Sequence, residues 1–317
     1  MLNITDCKED LERYKDSQDI IAFCDKFCCD GFEYMPVMNQ EQAKIPKQMI
    51  YGVHMRSFSC LLDLWLGNET ALLKEFGSWE VVEQTYGGRD REAIIQYFRK
   101  DLELAKRLQA EYVVFHVTEV KIAESCTYCF DYTDEEVVDV LAEIVNELLD
   151  GRDYQFYFLM ENLWWPGLTF TRPEITKRLI RQVHYEKKGF MLDTGHLMHT
   201  NLELKSQEEG LVYIKEMLLA HGELCKWIKG VHLQQSITGE RVKEMLKQEI
   251  QWEPEYYQRW CQIFEYIFEI DLHQPFTAKG IQELITWINP EYLTFEFISR
   301  SREEHEKLLT AQIECFF

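Results

Sequence analysis

The 317-residue chain has no run of about 18 consecutive apolar residues, so no helix is expected to cross a membrane. Its start, MLNITDCKEDLERYKDS, lacks the basic-then-apolar layout of an export signal, and a cytoplasmic location follows as the expectation. No Pro- or Gly-rich linker interrupts the sequence, so residues 1–317 are expected to form a single domain. Neither a GxGxxG nor a phosphate-loop pattern is present, and no nucleotide cofactor is expected. Positive charge is scarce too. Against 55 acidic residues stand 34 Lys and Arg, a formal charge of −21 with His neutral. A general nucleic-acid binder presents a basic face, and there is no Lys/Arg cluster with interleaved aromatics. That lowers the expectation of a nucleic-acid partner without removing it.

Apolar residues make up 46% of the chain and charged ones 28%, enough for a large core in a soluble protein. The ten cysteines are scattered, as free thiols packed as small apolar groups would be. Cys126 and Cys129 form a CxxC, but no second pair completes a zinc ribbon.

Short β-like runs alternate with longer helical ones. The β runs are 31–37, 49–55, 112–117, 154–162, 189–194, 228–234 and 292–298, with LNIT near residue 2 as a candidate for the first strand. Their apolar residues are continuous, which suits parallel strands covered on both faces. Helical spacing marks 94–109, 135–149 and 177–184 between them, with Asp134 a candidate N-cap. An alternating βα order of eight strands predicts a closed (β/α)8 barrel, an α/β fold of TIM type. Two helical insertions follow strands 3 and 7, at about 59–92 and 237–270. They suit a lid, a contact in a homo-oligomer, or extra packing.

The metal-type residues fall at matched positions. Each of the last six β runs ends at or near a His, Asp or Glu: His54, His116, Glu161, Asp193, His232 and Glu296. Strand C-termini converge on one mouth of a barrel, so these six should share a small volume. Carboxylates crowded this way are costly to hold unless cations neutralise them. A single such residue is usually a packed or capping group; six in register are hard to explain that way. His196 lies three after Asp193, and Asp271 and His273 form a D-x-H pair able to face one ion. Donors of oxygen and nitrogen only suit zinc, manganese, cobalt or magnesium. Trp164 and Trp165 follow Glu161 at the mouth, and Trp65 and Trp79 lie in the first insertion; they suit aromatic walls or simple packing. Arg56, Lys121, Arg172 and Arg300 lie near strand ends, where they could hold a phosphate or simply lie at the surface.

The segments GVHM, VVFHV, LMENLWWPG, MLDTGHL, GVHLQQS, DLHQPF and TFEFIS, in that order, make the chain resemble the xylose isomerase-like TIM barrels. That superfamily includes endonuclease IV and the sugar and sugar-phosphate isomerases and epimerases, and the resemblance runs from about residue 20 to 300. On the isomerase and epimerase side it implies one catalytic ion on Glu161, Asp193, His232 and Glu296. The two glutamates would then form the acid/base pair of an enediolate proton transfer on a sugar, sugar phosphate or related polyol, with His196 touching the substrate. On the endonuclease IV side it implies three zinc ions for phosphodiester hydrolysis. There His54 and His116 hold the first and Asp193, His232 and Glu296 the second, while His196, Asp271 and His273 hold the third and Glu161 bridges two of them. The sequence departs from endonuclease IV after His54 (MRSFSCLLDLW), in the long 237–270 insertion, and in having no Arg-rich DNA-reading loops. The isomerase or epimerase is therefore the leading expectation, with one to three ions and a small sugar-like substrate. The hydrolase comes second, and a barrel that binds a ligand without turning it over third.

Overall fold

The computed structural model describes residues 1–38, 44–56 and 60–316; residue 59, where the first insertion was expected to begin, lies outside them. Eight parallel strands close into a barrel in sequence order. They are β1 (Leu2–Thr5), β2 (Phe32–Met35), β3 (Ile50–His54), β4 (Tyr112–His116), β5 (Tyr157–Glu161), β6 (Lys188–Asp193), β7 (Ile228–Leu233) and β8 (Tyr292–Phe295). LNIT is therefore the first strand, paired with both β2 and β8. The expected fold is the observed one. The strands are shorter than their apolar runs, most visibly at β5, where Tyr154 and Phe156 are buried ahead of the strand. Apolar character marks burial, and burial extends beyond the hydrogen-bonded ladder.

Helix α1 (Ser17–Lys26) follows β1. The first insertion folds as α2 (Leu62–Leu66), α3 (Glu69–Phe76) and α4 (Trp79–Tyr86) before the long α5 (Arg91–Leu108). Its breaks are written locally: Asn68 accepts from Ala71 N and starts α3, and Ser78 accepts from Val81 N and starts α4. Helix α6 (Asp134–Leu149) opens with a capping box between Thr133 and Glu136. The N-cap is thus Thr133, not Asp134; Asp134 begins the helix and its carboxylate accepts from Gly167 N at 3.0 Å. Helix α7 (Pro173–Gln182) starts four residues before the expected span because Pro173, which lacks an N–H, suits a first helical turn.

After β6 come α8 (Thr194–His199) and α9 (Gln207–His221). The second insertion contributes α10 (Gly239–Met245) and α11 (Tyr256–Ile270), and α12 (Ile281–Ile288) and α13 (Arg302–Ile313) complete the chain. The two insertions meet. Phe76 packs on Tyr256 with ring centroids 4.4 Å apart, Thr85 Oγ1 lies 3.1 Å from Tyr257 Oη, and Arg259 donates to the Glu75 carbonyl. No helix among the described residues is long and apolar enough to cross a membrane.

Inside the barrel Tyr112, Val114, Leu159 and Met191 form an apolar cluster, with Met1, Tyr51, Tyr157 and Tyr292 packed against it. Gly52 is required there, because a Cβ at that position would sit 2.2 Å from the Tyr112 ring. With that room, Tyr112 reaches across and its hydroxyl donates to Glu33 at 2.8 Å. Polar chemistry begins at this height.

Candidate metal centre

Strand register brings the donors together. His116 and Glu161 are directly paired on β4 and β5, as are Asp193 and His232 on β6 and β7. His54 ends β3 beside them, and Glu296 follows the last residue of β8. Four overlapping groups result: His54, His116 and Glu161; Glu161, Asp193, His232 and Glu296; His196, Asp271 and His273; and Glu33, His54, His232 and Glu296. Within each, the donor atoms lie within 4.8 Å of one another. All nine residues expected from the sequence are gathered at the barrel mouth, and a tenth, Glu33, joins them. Glu33 stands at the start of its strand, so the rule of strand ends passed over it; the available signal was a lone carboxylate inside the apolar run GFEYMPV.

The segment LDTGH shows how the sequence builds this locally. Asp193 caps α8, Oδ1 accepting from His196 N at 2.6 Å, and Thr194 donates to the Gln234 carbonyl on the next strand's exit at 2.6 Å. Gly195 has to be glycine, since a Cβ would stand 2.1 Å from the Gln234 side chain, whose amide donates to Asp193 Oδ1 at 3.0 Å. Asn162, after Glu161, ties the two strand ends with bonds to the Asp193 N–H and carbonyl at 2.9 and 3.0 Å.

Four of the imidazoles, those of His54, His196, His232 and His273, are oriented by a partner on the second ring nitrogen. The Nδ1 atoms of His54, His196 and His273 face the carbonyls of Met55, Asn162 and Glu296 at 2.9, 2.9 and 3.1 Å. In the neutral ring this places the proton on Nδ1 and a lone pair on Nε2, aimed at the carboxylates. His232 is turned the other way. Its Nε2 lies 3.0 Å from Glu33, while Nδ1 faces Glu161 at 3.1 Å and Glu296 at 3.2 Å. Glu33, itself held by Tyr112, is thus the outer carboxylate that fixes the His232 ring.

Glu161 lies at the hub, fully buried, its oxygens 3.1 Å from His54, His116 and His232 and 3.3 Å from His196. Asp271 and His273 are 2.9 Å apart, and Asp271 is 3.4 Å from His196. Among the described residues Asp193 Oδ2 and Glu296 Oε2 are buried and receive no hydrogen bond. Burial, with Glu296 and Glu161 close by, pushes Asp193 up to about 7 against the pull of His196. Burial also works against charge on the histidines, yet Asp271 raises His273 to about 9, and the surrounding carboxylates hold His196 and His232 well above the ordinary value. Glu161, in spite of burial, is held well below the usual carboxylate range by His232 and His116. Protons on His54, His196, His232 and His273 therefore offset part of the carboxylate charge, while burial holds His116 down; divalent cations play that part when they displace those protons. Oriented lone pairs and unbonded carboxylate oxygens fit such ions.

A cavity of about 200 Å³ lies above the donors, reached by His116, His196 and Asp271. Leu163, Trp164 and Trp165 form one wall, and Trp164 lies tilted against His196 and His199 with ring centroids 5.2 and 4.5 Å apart. Helix α11 overhangs it with Tyr256, Trp260, Ile263, Phe264 and Ile267. Trp65 instead is buried beside α6, its indole donating to Glu143 at 3.0 Å, and Trp79 packs under Arg89.

Three of the four basic residues considered for a phosphate are held by carboxylates of the chain. Arg56 pairs with Asp101 at 2.9 Å, Lys121 with Asp63 and Asp131 at 2.9 and 2.7 Å, and Arg172 with Asp134, Glu135 and Glu174. Arg300 lies at the surface. Cys126 is buried and Cys129 exposed, both as free thiols.

Residues 70–278 match the family described as xylose isomerase-like TIM barrel, and the chain belongs to that family. No curated protein matches in sequence. Solved structures similar to it include endonuclease IV from Thermus thermophilus, with a TM-score of 0.53 at 13% identity over 99% of this chain and 97% of that one. A D-tagatose 3-epimerase-like protein gives 0.51 at 14% over 99% and 97%, and 3-keto-D-glucoside 4-epimerase from E. coli gives 0.50 at 10% over 99% and 98%. At such identities the likeness establishes the fold alone.

Proposed function

We propose that the protein is a divalent-metal-dependent isomerase or epimerase, acting on a small sugar, sugar phosphate or related polyol. The observation that carries this reading is the pairing of Glu161 and Glu296 around His232, beside His196, which lines a cavity covered by both insertions. Glu161, Asp193, His232 and Glu296 would hold the catalytic ion, which when bound supplies a Lewis acid for adjacent carbonyl and hydroxyl oxygens of a substrate. Glu161 and Glu296 approach from different strands, so one can take a proton from the substrate carbon and the other can return one. His196, held by Asn162 and Asp271, is placed to touch a substrate oxygen. Trp164 shields the reacting carbon from water. The relatives of similar fold include epimerases, which agrees with this reading without deciding it.

A second reading is favoured by one observation: three of the donor groups share or adjoin Glu161 in the pattern a trinuclear phosphodiester hydrolase needs. Against it stand the overhanging helix α11 and the engaged Arg56, Lys121 and Arg172, which leave few cations for a phosphate backbone.

Metal content with a deuterium wash-in assay separates the two. One ion per chain, with solvent deuterium entering the carbon next to the carbonyl of an aldose or ketose, supports the isomerase. Three zinc ions with cleavage of an abasic-site DNA, and no wash-in, replaces it with the hydrolase. A chain that retains no metal after loading removes both and leaves a barrel that binds without turnover.

A further inference from the structure

The cavity above the donors has two unlike ends. Its inner end carries His116, His196 and Asp271. Most of the rest is apolar, with Leu163, Trp164 and Trp165 on the barrel side and Ile263, Phe264 and Ile267 of α11 above, beside the charged Glu75 and Lys121. The charged groups at that outer end are already used. Lys121 is bound by Asp63 and Asp131, and Glu75 accepts from Ile122 N at 3.1 Å. A bare sugar placed there would lose hydration from its hydroxyls and find few partners to replace it. A hydrocarbon ring would gain from the same burial. The volume is sufficient, since an apolar cavity of about 150 Å³ already holds benzene and this one measures about 200 Å³.

We infer that the substrate carries a hydrophobic, ring-sized substituent on its oxygen-rich head, and that the apolar end of the cavity is the subsite for that ring. The head lies at the donors and the ring between Trp164 and α11. The inference rests on the metal-dependent active site proposed above and narrows its substrate class from free sugars to sugars or polyols bearing an apolar group. Helix α11 belongs to the second insertion, so the subsite is an addition to the barrel rather than part of it.

Two zinc-chelating probes test it on the zinc-loaded, full-length protein: acetohydroxamate, which is a head alone, and benzohydroxamate, which is a head with a ring. Burial of one ring predicts that benzohydroxamate binds about 10- to 100-fold tighter. It should also change the emission of Trp164 and Trp165, which acetohydroxamate should leave as it is. Ile267→Trp, which fills the space from a half-buried position on α11, should erase the difference between the probes. Phe264→Ala, which enlarges the space, should extend the preference to a naphthyl hydroxamate and serves if the first variant does not fold. Equal affinity of the two probes for the unaltered protein overturns the inference while the metal site stands. Failure of both to bind a chain that retains no zinc overturns the metal reading, and this inference with it.

Discussion

Two surfaces enclose the cavity, and they are made differently. Below, the side chains come from strand ends, where register sets each donor: His116 opposite Glu161, Asp193 opposite His232. Above, Trp260, Ile263, Phe264 and Ile267 come from one helix that is held over the mouth by Phe76, Thr85 and the Glu75 carbonyl of the other insertion. The floor is charged, hydrogen-bonded and almost wholly buried; the roof is apolar, and Trp260 is 40% exposed. The difference teaches that the donors and their cover come mostly from different parts of the chain, joined where α11 ends in Asp271. A barrel fixes where the ion sits, while loops and helices added after its strands fix what reaches that ion.

Breaking the floor should have the largest effect. Glu161→Gln keeps the shape but removes the charge four imidazoles face, and should lower zinc affinity by more than the roughly 100-fold of an outer-shell change; a competition titration with a fluorescent chelator measures it. An unchanged affinity would mean that Glu161 holds no ion. Next in size is the roof. Phe76→Ala removes a ring that is 2% exposed and should cost about 3–5 kcal/mol in urea unfolding, with the number of ions bound unaltered. Loss of ions in that variant would show that floor and roof are not separate.

Glu33→Gln sharpens the floor itself. It keeps a side chain beside His232 but weakens the partner that orients the ring, and should reduce zinc affinity about 10- to 100-fold. The d–d spectrum of a cobalt-loaded sample should shift as well, which a general loss of stability would not produce. The smallest effect belongs to a site remote from both surfaces. His305 stacks on Phe23 with centroids 5.7 Å apart, and burial, with Arg13 nearby, holds it down to about 4. The unfolded chain takes up this proton near pH 6.5 and the folded one only near 4. Stability is therefore present above about 6.5 and is lost as pH falls from there toward 4, by about 1.4 kcal/mol per pH unit. His305→Gln should flatten the pH dependence of urea unfolding over that window by this amount, and an unaltered slope would refute the assignment.

The floor was legible in the sequence and the roof was not. Parallel strands buried on both faces leave continuous apolar runs, and a His, Asp or Glu closing such a run stands out. Glu33 broke the pattern by sitting near a strand's start, where Tyr112, given room by Gly52, bonds it. The 237–270 insertion read as helical, but a helical reading does not say against what a helix packs. Arg56 and Lys121 invited a phosphate because their partners, Asp101 and Asp63, are 45 residues away for one and 58 for the other, and pairing at that range is visible only in the fold.

Asp271 is both the last cap of α11 and a donor, with His273 two residues beyond. The helix that covers the cavity thus ends in the centre that the cavity serves. A tilt of α11 wide enough to let a product out would pull on the Asp271 carboxylate and loosen its contacts with His196 and His273. In such a tilt the cover and the group of His196, Asp271 and His273 would move together, because one helix forms the cover and ends in that group.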